Sequence, residues 1–61
     1  MSFSNSDKAK EAEREIRMRE HVYASKVWRG QMNQTTADRR LAIMREIADD
    51  YRKAAEQERL I

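Results

Sequence analysis

Residues 27–37 read VWRGQMNQTTA, and they hold the signals that end one helix and begin another. Gly30, the one glycine of the chain, enters the left-handed backbone region without steric cost and so closes a helix running up to Arg29. Asn33 follows as an N-cap, with Met32 before it placed to pack on Ala37 as a hydrophobic staple. Thr35 is the alternative cap, with Asp38 three residues on. Elsewhere the chain has no proline and is rich in Ala, Glu, Lys, Arg, Met and Gln, the good helix formers. The reading predicts a helix over about 7–29, a turn at 30–33 and a second helix over about 34–59. Ser4, Asn5, Ser6 and Asp7 are all competent caps for the first helix, and residues 1–6, polar apart from Phe3, are expected to form a flexible tail.

The apolar spacing says how the helices meet. On the first, Ala9, Ala12, Ile16, Tyr23 and Val27 fall within about 40° of one line at about 100° per residue. On the second, Ala37, Leu41, Met44, Ala48, Tyr51 and Ala55 alternate four- and three-residue steps, the heptad spacing of a coiled coil or bundle seam. The two stripes mirror each other about Met32: Val27 faces Ala37, Tyr23 faces Leu41, Ile16 faces Ala48 and Ala9 faces Ala55. Ala12 with Tyr51 and Arg19 with Met44 follow the same mirror. Large residues mostly meet small ones, as interdigitation requires. The expected fold is therefore all-α, an antiparallel two-helix hairpin with heptad-like packing and a core of Ile16, Tyr23, Val27, Leu41, Met44, Ala48 and Tyr51. A single long helix that tolerates Gly30 is the competing reading.

A hairpin needs one stripe per helix, and this sequence has more. Ile43, Ile47 and Ala54 form a second strip on helix two, roughly 80–120° from the first. Met18 and Val22 form an i, i+4 pair on a flank of helix one, and Trp28 lies about 120° to the other side, close to the turn. An aligned set of exposed apolar residues is more often an interface than an accident. Met18, Val22, Trp28, Ile43 and Ile47 are the candidate partner or dimer surface. Two hairpins covering these flanks would complete a four-helix bundle; alternatively the face docks a different protein, with Trp28 as an anchor.

Size and charge limit the rest. Sixty-one residues make one domain close to the lower limit for folding alone. With no cysteine there is no disulfide, and the usual zinc ligand sets are absent, so association is the expected stabilising device. No cofactor is expected. The absence of cysteine fits a cytoplasmic location, and residues 1–15 contain no apolar run, so neither a signal peptide nor a membrane contact is expected.

Catalysis is not expected. His21 has Glu20 beside it and Ser25 one turn on, but neighbours on a helix diverge by about 100° and so short a chain cannot wall off a pocket. Glu46, Asp49 and Asp50 form an acidic cluster beside Arg45, Arg52 and Lys53, which reads as an ion-paired face. Glu13 with Arg17, Glu15 with Arg19 and Asp49 with Lys53 are expected i, i+4 pairs. The alternative function is nucleic-acid binding through a basic end at the turn made by Lys26, Arg29, Arg39 and Arg40, with Trp28 available for stacking. A formal charge of +2 is too small to decide this.

The stretch EREIRMREHVY from Glu13, then GQMNQTTADRRLAIMREIADDYRKAAE from Gly30, resembles a group of small uncharacterised alphaproteobacterial proteins, often prophage-encoded and of unknown function. The matching positions are Glu15, Met18, Arg19, Val22, Tyr23, Gly30, Met32, Ala37, Asp38, Met44, Ile47, Asp50 and Tyr51. Relatives carry proline where this chain has Ala24, which would kink their first helix just after the position of Tyr23; alanine allows a continuous helix here and leaves the bend open. They carry threonine where it has Asn33, another good cap. The resemblance implies a phage-type accessory protein that binds and modulates a host protein.

Overall fold

The computed structural model describes residues 2–59. Two helices, α1 (Asn5–Trp28) and α2 (Gln34–Arg59), pack antiparallel as a hairpin about 48 Å long, 19 Å wide and 16 Å thick between Cα positions. The single long helix is excluded.

Local chemistry accounts for each helix end. Ser4 is extended, and its hydroxyl accepts from the Asp7 backbone N–H at 3.0 Å. The helix thus begins at Asn5, and Asn5 and Ser6 belong to α1 and not to the tail expected over 1–6. Met1, Leu60 and Ile61 of the expected boundaries lie outside the described residues. At the other end Arg29 is the C-cap, and Gly30 takes φ +73°. The Gln31 N–H reaches back to the Lys26 carbonyl at 2.8 Å and the Gly30 N–H to that of Val27 at 3.0 Å. These two bonds define a Schellman closure. Asn33 then caps α2, its Oδ1 accepting from the Thr35 N–H at 2.7 Å. Thr35, the alternative cap, lies inside the first turn. α1 runs unbroken through Ala24, so no bend interrupts the helix after Tyr23.

The buried seam is made mainly of alanine. Ala9, Ala12, Ala37 and Ala48 are almost fully covered, and Tyr23 is the one large side chain that joins them. Ile16, Val27, Leu41, Met44 and Tyr51, expected in the core, are only half-buried. Small residues let the two helices approach closely, and the outer halves of longer side chains then project past a seam that has no third element to cover them.

Three contacts set the register: Glu20 with Arg45 at 3.6 Å, Glu13 with Arg52 at 3.2 Å, and the Asn5 side-chain amide with the Glu58 carboxylate. The two ion pairs place the mirror between Met32 and Asn33 and the Asn5–Glu58 contact between Gln31 and Met32, so the three straddle Met32, where the stripes put it. Glu13 therefore pairs across the hairpin and not with Arg17, because Arg52 is brought opposite it by packing. The Lys8 ammonium lies 5.5 Å from the Tyr51 ring centre, a further cross-helix contact.

Candidate functional site

The register divides the hairpin into two broad faces. In an antiparallel helix pair, residues one step after the seam on the two helices meet on one side and those one step before it on the other. Glu13, Glu20, Arg45 and Arg52 each follow a seam residue by one step, so their two ion pairs cross-link one face. The opposite face carries Met18 and Val22 from α1 and Ile43 and Ile47 from α2. These four are 48%, 47%, 45% and 39% exposed, more than an aliphatic side chain in a finished core retains.

Position within that face matters. In the register of the ion pairs, Met18 is level with Ile47 and Val22 with Ile43, so two apolar rungs lie one turn apart close to mid-length. Half-buried Met44 and Arg19 occupy the seam between them. Arg19 is held by Glu15, Nε to Oε1 at 3.1 Å, the i, i+4 pair expected there. A shallow groove lined by Met18, Arg19, Val22, Tyr23, Lys26 and Arg40 leads from these rungs to the turn.

Trp28 does not belong to this face. It is 90% exposed and borders a groove with Glu20, Ala24, Val27 and Leu41, on the side of the Glu20–Arg45 pair. The five candidate interface residues thus separate into four together and one on the reverse side near the turn. Sequence spacing placed Trp28 away from the others, but only the register showed that Met18 and Val22 share a face with Ile43 and Ile47.

The basic residues of the turn end separate likewise. Lys26 and Arg40 line one groove on the apolar face, and Arg29 is the C-cap beyond it. Arg39, one residue before Arg40, points about 100° away. None of the four has a carboxylate within 4.0 Å among the described residues.

Remaining electrostatics are those of a solvated surface. Asp49 binds Lys53 at 3.0 Å and Arg52 at 3.6 Å, and the hydrogen bond and charge of Asp49 raise the Lys53 ammonium above its ordinary pKa. Arg14 contacts Glu11 at 2.7 Å, and that hydrogen bond, with the guanidinium charge, holds the Glu11 carboxyl below the usual carboxylate range. A depressed carboxylate contributes stability that is complete at neutral pH and lost as pH falls through its folded pKa. Both pairs are fully exposed and contribute little. Glu20 is drawn across to Arg45 and away from His21 and Ser25, which are both exposed. Among the described residues no group of three or more metal-ligating side chains converges, and no helix is long and apolar enough to cross a membrane. Comparison with known protein families, with curated proteins and with solved structures found no match to this chain.

Proposed function

We propose that this hairpin, its seam packed in the coiled-coil manner, is a non-enzymatic protein–protein interaction module that engages through the face bearing Met18, Val22, Ile43 and Ile47. The observation that carries the reading is the half-exposure of four large apolar side chains gathered on one broad face, while the other face is closed by cross-helix ion pairs. Covering the exposed half of such a side chain is worth roughly 1 kcal/mol, about half the value for full burial, which a marginally stable chain of this size gains only by association. The resemblance to prophage-encoded proteins supports a role in binding and modulating a host protein.

Nucleic-acid binding is the second reading, favoured by Lys26 and Arg40 along one groove and by an exposed Trp28. It is the weaker one, because Arg39 and Trp28 lie away from that groove and a backbone-tracking site needs its cations in line.

Ile47→Lys, alone and with Ile43→Lys, tests the apolar face. The substitutions should lower the associated mass in sedimentation equilibrium, or abolish binding of a protein ligand purified with the parent chain, while the helical circular dichroism signal is kept. Unchanged mass together with unchanged ligand binding would sink the reading.

A further inference from the structure

The charges around the apolar face are arranged by end. Toward the turn it carries Arg40 and Lys26, neither with a carboxylate within 4.0 Å among the described residues. Toward the open end it carries Asp50 and Glu15, with Lys8, held over Tyr51, as the basic exception. Glu15 is already closed by Arg19, so that pair is neutral as a unit. The two apolar rungs lie between these ends.

Their spacing is symmetric. The rungs Met18–Ile47 and Val22–Ile43 have their midpoint at residue 20 on α1 and residue 45 on α2. Arg40 lies five residues from that midpoint toward the turn, and Asp50 lies five toward the open end.

We infer that the occupant of this face is a second copy of the chain, laid face to face and reversed end for end by a two-fold axis through the apolar midpoint. The inference rests on the proposed use of this face and adds its partner and geometry. The axis runs across the hairpin, so each helix lies antiparallel to its own copy. Met18 then meets Val22 of the second copy and Ile43 meets Ile47, each contact made twice as an isologous interface requires. Arg40 faces Asp50 of the second copy, while on α1 Lys26 comes level with Arg14, whose charge Glu11 already offsets. A copy laid in the same direction would instead bring the two basic turn ends together, Arg40 against Lys26 of the second copy, and like charges brought together across an interface are repelled.

The dimensions agree. A face 48 Å by 19 Å presents roughly 900 Å² in projection, close to the ~800 Å² that each partner contributes to a stable interface. The two apolar rungs cover only the middle of it, so the charged ends must lie within the contact, where their sign decides the direction. Trp28 and the Glu13–Arg52 and Glu20–Arg45 pairs remain on the outer surface of the dimer.

A charge exchange tests the arrangement. Arg40 and Asp50 are ten residues apart on one helix, about 15 Å, too far to pair within a chain. Sedimentation equilibrium of the full chain should show a dimer that weakens with added salt. Arg40→Glu should raise its dissociation constant roughly tenfold or more, since like charges then meet twice. Adding Asp50→Arg to that variant should return the constant close to the parent value, with helicity by circular dichroism unchanged throughout. A parent chain that stays monomeric, or that as a monomer binds duplex or single-stranded nucleic acid through Arg40, overturns the inference. So does a dimer indifferent to Arg40→Glu, or one not rescued by Asp50→Arg. If Ile47→Lys breaks a dimer that Arg40→Glu leaves intact, the apolar face stands and the reversed arrangement falls. A dimer that survives Ile47→Lys removes this self-contact, and removes the proposed use of the face as well when ligand binding is also unchanged.

Discussion

Gly30 holds φ at +73°, and a β-carbon built on it would meet nothing within 4 Å. The whole cost of a side chain there is backbone strain. Gly30→Ala should destabilise the hairpin by about 1–2 kcal/mol, lowering the thermal midpoint by circular dichroism at fixed protein concentration, and Gly30→Asn by less. A midpoint unchanged by alanine would mean that the turn relaxes out of the left-handed region. This residue and Asn33 were legible because their chemistry is local: one supplies the conformation, the other the capping oxygen. Ser4 was less so, since Asn5, Ser6 and Asp7 compete for the same role and only backbone geometry selects among them. The partner of Glu13 was not legible. Arg17 is nearer in sequence, and Arg52 becomes the neighbour only after packing.

Each helix carries its half of an alanine seam. Ala48 is 1% exposed and Ala37 2%, so the space between the helices is filled to the methyl group. Ala48→Leu should force the helices apart at a cost of about 1–3 kcal/mol. A lower urea midpoint with helicity retained before the transition would show it, and an undiminished midpoint would mean that the seam has slack. The stripes and their mirrored register were readable from periodicity, which is a property of each helix and its turn. The degree of burial was not. Ile16, Leu41 and Met44 have core spacing, yet in a pair of helices a long side chain finds cover on one side only. The same periodicity could not assign a face to Met18 and Val22 relative to Ile43 and Ile47, because that depends on which flanks meet across the seam.

For the molecule as a whole, Trp28 reports on which surface is used. It stands 90% exposed on the reverse side from the apolar rungs, so in the free chain its fluorescence should be red-shifted and readily quenched. Self-association through the apolar face should leave that emission unchanged across the dimer transition, whereas a partner on the ion-paired face would shift it to the blue. A blue shift that follows protein concentration alone would place the turn end inside the self-contact. The hairpin architecture follows from local signals that agree with one another, and the surplus of apolar residues was equally visible. What the surplus meets is a matter of complementarity between surfaces, which a linear pattern does not encode. The single turn also orders events in time. Closing a chain loop costs more as the loop lengthens, so contacts beside the turn, such as Val27 with Ala37, form at least entropic cost, and those joining Asn5 to Glu58 close last and open first. Folding therefore runs outward from residue 30 like a zip. A fused tag or neighbouring domain is best tolerated at the free ends, whereas an insertion at the turn would slow the step on which all later pairing depends.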